Sequence, residues 1–127
     1  MHEHLFEYAV VRVVPKVERE EFLNVGIILL CTGKNFLESR VTVDSGRVSN
    51  LCPAVDLEVV TEHINSFRLI TSGGAMGGPI GLLNLRERFR WLTASRSTMI
   101  QTSKVHPGLC ESPGKMLEHL YRSLVEC

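Results

Sequence analysis

The sequence predicts an α+β fold: an antiparallel meander of three strands plus a fourth strand, packed by about three helices. Three observations predict it. Two apolar runs rich in β-branched residues, Tyr8 to Val14 and Val25 to Leu30, crowd the first third of the chain. Apolar residues at helical spacing begin only after Pro53. A short strand-like stretch around Met99 and Ile100 then precedes a last amphipathic segment. Strands first and helices afterwards favour α+β over an alternating βαβ chain.

The first strand covers Leu5 to Val14, and Pro15 ends it by withholding a ladder donor. Val17 to Leu23 closes the corner with a short helical turn, where Glu18, Glu20 and Glu21 suit the positive end of a helix. From Val25 to Leu30 the run is too uniformly apolar for a strand with one wet face, so it predicts a central strand covered on both sides. Thr32 to Asn35 turn the chain into a third strand, Phe36 to Val43, and Asp44, Ser45, Gly46 and Arg47 read as the next turn.

Leu57, Val60, Ile64 and Phe67 form one helical stripe, started near Cys52 or Asp56 and ended by Gly73. The segment Gly73 to Gly81, GGAMGGPIG, lacks the Lys and Ser/Thr of a phosphate loop and follows a helix, so a flexible connector is expected. A second helix is predicted over Leu82 to Leu92, from the spacing of Leu82, Leu85, Phe89 and Leu92, with Trp91 against the sheet or the edge of a site. The fourth strand falls within Thr93 to Val105, and His106, Pro107 and Gly108 read as a loop. Ser112 as N-cap, Pro113 at the first position and the stripe Leu117, Leu120, Tyr121, Leu124 predict the last helix.

With 127 residues, 44% hydrophobic and 22% charged, the chain fits one folded domain. A net charge of zero gives no global attraction to nucleic acid or an anionic membrane. The longest apolar run, Val25 to Cys31, is far short of the ~20 residues needed to cross a bilayer, and the N-terminus lacks a basic signal region. A cytoplasmic protein with no membrane partner is expected. Cys31, Cys52, Cys110 and Cys127 show no zinc-site spacing and are expected as reduced thiols. His2 and His4 stand near a chain end, where histidines are usually solvated. No cofactor motif or complete metal set is present, so none is expected.

Polar residues beyond the needs of a simple fold collect in two places. One is the corner at Glu20, Glu21, Asn24 and Gly26; the other runs from Arg96 and Ser97 through Thr98, Gln101, Thr102, Ser103 and Lys104 to His106. A fourth strand joined to the meander would bring the two into one polar groove. The same residues also fit a plainer role, with Asn24 and Gly26 forming a bulge and Ser97 and Thr98 lying at a strand edge.

Four chemistries fit these residues unequally. A triad of Ser97 or Ser103 with His106 and Glu21 has no nucleophile elbow around either serine. Glu20, Glu21 and Asp44 offer carboxylates to a metal, although acidic corners are commonly just solvated. His106 as a general acid or base precedes Pro107 in a turn-like context. From Arg86 to Lys104, five cations (Arg86, Arg88, Arg90, Arg96, Lys104) face one acid, Glu87, and Arg86, Arg90 and Lys104 are the candidate anion-binding set.

The block YAVVRVVPKVEREEFLNVGIILLC, followed by RFRWLTASRSTMIQTSKVHPGLC and an amphipathic helix, resembles the bacterial domain of unknown function 3037 family over nearly the whole chain. The family pattern falls on Tyr8, Glu21, Phe22, Asn24, Gly26, Arg96 and Ser97. The resemblance implies a small bacterial cytoplasmic protein with no catalytic residues to carry over. It also implies a HipA-like kinase as a protein partner. Combined with the absence of a complete catalytic set, it favours a non-catalytic interaction module whose candidate binding residues are Glu21, Asn24, Arg96, Ser97, Gln101 and His106. The alternative is a nucleic-acid or phosphate binder, or a metal-dependent enzyme acting on nucleic acid. An apolar third strand at a sheet edge also admits a homodimer.

Overall fold

The computed structural model describes residues 3–126, so His2 and Cys127 lie outside the described residues. Five strands form one antiparallel sheet: β1 (His4–Val13), β2 (Leu23–Cys31), β3 (Phe36–Val41), β4 (Ile100–Thr102) and β5 (His106–Cys110). Five helices accompany them: α1 (Ser45–Leu51), α2 (Leu57–Ser72), α3 (Gly78–Gly81), α4 (Leu85–Thr93) and α5 (Pro113–Tyr121), which runs on into a π-helical turn, Arg122–Glu126. The fold is α+β, as the patterning predicts.

The sheet order is β3-β2-β1-β4, with β5 also paired to β1. β2 occupies one side of β1, so β4, opposite Val11 to Val13, and β5, opposite His4 to Tyr8, share the other. Ser103 bridges the interruption between them. Its N–H donates to Val10 O at 2.9 Å, and its hydroxyl oxygen accepts from Val10 N–H at 2.8 Å in place of a backbone carbonyl. The buried Ser103 thus serves as a rung of the ladder.

Both faces of the sheet are covered. Ala9, Val11, Val13, Val25, Ile28 and Leu30 meet Val48 of α1, Val60, Ile64 and Phe67 of α2, and Phe89 and Leu92 of α4. Phe6, Val10, Ile27, Leu29 and Cys31 meet Leu117 and Tyr121 of α5 and Val125 beyond it. This double coverage is why β1 and β2 read as unbroken apolar runs rather than alternating ones.

The β1/β2 register runs from Val11↔Gly26 to Arg12↔Asn24, leaving Val25 as the extra residue of a bulge. The bulge puts Asn24 opposite Arg12 on the α5 side. Gly26 is needed there because a Cβ would meet Arg40 O and come within 2.6 Å of Val41 Cγ2.

Several expectations are corrected. Asp44 to Arg47 do not form a simple turn; Asp44 caps α1 by accepting from Arg47 N–H at 3.2 Å, and the buried Val48 explains why a helix forms. His106 to Gly108 belong to β5 rather than a loop. Leu82 lies outside α4 and is 70% exposed. The helix starts instead after Asn84, which accepts from Glu87 N–H at 2.9 Å while donating to Glu87 Oε1 at 2.6 Å. The glycine segment holds a 3-10 turn, Ala75–Gly77, and α3, with Gly74 N–H donating to Gly81 O at 2.8 Å. Glycine is required at Gly73, where φ is +81° and a Cβ would strike the Arg88 guanidinium.

Candidate functional site

Arg12 is the one charge in the apolar stretch of β1 from Tyr8 to Val14, and its position decides its surroundings. After Val14, whose N–H donates to Met99 O at 2.7 Å, a short 3-10 turn over Val17–Arg19 and a left-handed Glu20 (φ 58°) swing the chain back into β2. That corner lays Phe22 on Arg12, with the guanidinium carbon 4.0 Å from the ring centroid. Arg12, Val14, Val17, Glu20, Phe22, Ser97 and Gln101 enclose a groove of about 260 Å³.

Arg12 is half-buried and poorly matched by the protein. Its buried Nε–H meets no acceptor, and directly opposite, Asn24 Oδ1 is buried without a donor. No carboxylate lies within ion-pair distance of it among the described residues. Other arginines are engaged: Arg19 with Glu21 at 2.6 Å, Arg40 with Glu118, and Arg88 with the carbonyls of Ile70, Thr71 and Leu83 at 3.1, 2.7 and 3.0 Å.

A second groove of about 160 Å³ adjoins the first, lined by His63, Phe67, Ile70, Trp91, Arg96 and Gln101 among others. Arg96 stacks on Trp91, 4.1 Å from its centroid, and donates to Trp91 O. Gln101 lines both grooves, and its Nε2 donates to Thr98 O at 2.8 Å, which braces the loop before β4. The surface therefore carries two arginine–aromatic stacks, with Phe22 46% and Trp91 38% exposed.

The sequence-derived candidates divide. Ser97 and Gln101 line the Arg12 groove, and Arg96 lines its neighbour. The corner residue that faces Ser97 and Gln101 is Glu20, not Glu21. Glu21 is exposed on Arg19, whose hydrogen bond and charge hold its carboxyl below the ordinary range. Asn24 points to the C-terminal segment, donating to Leu124 O at 3.2 Å. His106 lies opposite Tyr8, which sits in the middle of β1 four residues before Arg12, and its ring is 5.3 Å from that of Tyr8. Of the basic run, Arg86, Arg90 and Lys104 are exposed, while Arg88 turns inward onto the end of α2.

No nucleophile is assembled from the triad candidates. The Ser103 hydroxyl donates to Lys104 O at 2.9 Å while accepting from Val10 N–H, and His106 rests on Tyr8. Among the described residues, no three His, Cys, Asp or Glu side chains gather as a metal site. Among the described residues, no helix is long and apolar enough to cross a membrane.

Arg12 itself escapes a reading based on polar clusters, because it is surrounded by valines. The available signal is the charge: one arginine inside a strand otherwise built for burial needs a partner or a purpose.

The protein is thus an α+β domain, an antiparallel sheet with helices on both faces and an arginine–aromatic stack in each of two adjoining grooves. The chain belongs to the family described as "Protein of unknown function (DUF3037)", whose model matches residues 8–125. That span contains both grooves. No curated protein and no solved structure matches the chain.

Proposed function

We propose that the chain is a non-catalytic interaction module and that the corner carrying Arg12, Phe22, Arg96 and Trp91 receives an acidic surface of a protein partner. One observation carries this reading: the Arg12 guanidinium is held half-buried on Phe22 at the wall of a groove, with no carboxylate within ion-pair distance among the described residues. Such a group is costly unless a ligand completes it. Arginine and exposed aromatic side chains are also the residues that dominate protein interfaces. The HipA-like kinase implied by the family resemblance is the first partner to try.

Co-purification and titration calorimetry with that kinase test the proposal. Arg12→Glu is expected to weaken the complex by about 2 kcal/mol or more, about thirtyfold in Kd. A complex indifferent to Arg12→Glu and to Arg96→Glu, or no complex at micromolar concentration, counts against it.

Nucleic acid is the less favoured ligand. Arg88 is withdrawn from the basic run, and Glu20 stands in the Arg12 groove. Anisotropy of labelled oligonucleotides is expected to show no binding that falls with rising salt.

A further inference from the structure

We infer that the Arg12 groove selects a carboxylate that has a hydrogen-bond donor next to it, as an acidic residue in a peptide segment has, and that Glu20 excludes phosphate. The inference rests on the interaction-module reading and names the chemistry that the module takes. Charge is the first argument. The groove is lined by one guanidinium and one carboxylate, Arg12 and Glu20, with no second cation. A phosphate monoester carries roughly −1.5 to −2 charges near neutral pH. Glu20 repels any anion, but a phosphate monoester carries close to twice the charge of a carboxylate against the same single guanidinium, so the repulsion weighs more on phosphate.

Hydrogen-bonding capacity is the second. Beyond the one Nε2 hydrogen that Gln101 gives to Thr98 O, the groove holds two groups with free lone pairs, the Gln101 amide oxygen and the Glu20 carboxylate. Both are acceptors. A ligand that lays its carboxylate on Arg12 is therefore best completed by an N–H beside it. With Nε buried, a carboxylate reaches the stacked guanidinium of Arg12 through its terminal nitrogens, which are strong donors to such a group. Val14, Val17 and Phe22 supply an apolar wall for the methylenes that carry it. A space of about 260 Å³ suits one side chain and its backbone amide; pockets for drug-sized ligands begin at about 300 Å³.

The third argument is the backbone of Glu20. Its φ of 58° is left-handed, a conformation that glycine adopts freely and that disfavours a residue with a Cβ. A carboxylate-bearing residue at that position keeps a side chain where the turn alone favours none.

NMR of the ¹⁵N-labelled protein tests this directly, following the Arg12 Nε–H and the amides of Ser97 and Gln101. The probes are N-acetylglutamate N-methylamide, N-acetylphosphoserine N-methylamide and inorganic phosphate. The glutamate probe is expected to shift these signals saturably and to bind about fivefold or more tightly than either phosphate probe. Glu20→Gln should narrow or reverse that preference, and Arg12→Gln should abolish binding while the rest of the spectrum stays folded. Equal or tighter binding of phosphate, or a preference unchanged in Glu20→Gln, overturns the selectivity and leaves the groove as a binding site. No shift at Arg12 with any probe overturns both selectivity and groove.

Discussion

Arg12 and Arg88 are two half-buried arginines with opposite consequences for stability. Arg88 donates to the carbonyls of Ile70 and Thr71 and so closes the C-terminal end of α2. Arg88→Met is expected to cost about 2 to 3 kcal/mol, because charged hydrogen bonds to three carbonyls are lost, while Ile70 O keeps only the Gly73 N–H. Arg12→Met is expected to change stability by less than about 0.5 kcal/mol, or to raise it, since it removes a charge that the protein does not pair. Urea unfolding of both variants checks the contrast; a comparable loss in Arg12→Met would make Arg12 a structural residue. Ser103→Ala should cost about 1 to 2 kcal/mol and speed hydrogen exchange at the Val10 amide, whose acceptor is removed. At this scale the site was half legible. Arg96, Ser97 and Gln101 stand out as polar residues in and just before a short strand, but Arg12 is hidden among valines. The choice between Glu20 and Glu21 depended on a left-handed turn that the sequence does not announce.

Among the elements, the long ones were the most readable. α2 carries its stripe, its Asp56 cap and its Gly73 stop in the sequence, and β2 its continuous apolar run. α1 was missed because an aspartate followed by serine and glycine serves equally as a turn or as a helix cap, and only Val48 within the short helix is fully buried. β5 was missed because a proline reads as a break, although it is tolerated on a strand whose outer edge needs no donor. The β1/β2 bulge was legible through Asn24 and Gly26, and it supports the sharpest element-scale prediction. Gly26→Ala would drive a methyl into Arg40 O and Val41 of β3. A loss of about 3 kcal/mol, from overpacking against backbone, is expected in thermal or chemical unfolding. A variant of wild-type stability would show that β3 can retreat.

On the scale of the whole molecule, the sheet is sealed between two cores, and the cysteines report on the seal. Cys31 and Cys110 are buried, while Cys52 is partly exposed. Burial, with Cys31 alongside, pushes the Cys110 thiol above its ordinary range. Peptide mapping after brief iodoacetamide treatment should find Cys52 alkylated well before Cys31 and Cys110. The sign of the pH dependence follows. The contribution of neutral Cys110 is complete below the pKa of an unfolded thiol and is lost as the pH rises toward the folded value, so alkali should loosen the α5 side. The open edge on the other flank belongs to β3, where Glu38 and Arg40 are exposed. β1 is enclosed by strands that come from opposite ends of the chain. Val10 and Ser103, which complete one side of it, are 93 residues apart. At synthesis rates of about 5 to 20 residues per second, that side stays bare for about 5 to 20 seconds after β1 emerges. A nascent chain holding β1 and β2 without β4 and β5 is an apolar hairpin with an unpaired edge, the arrangement most prone to associate with its neighbours. Chains truncated before Ile100 should therefore collect in the insoluble fraction, and refolding of the full chain should be limited by the late arrival of its C-terminal strands.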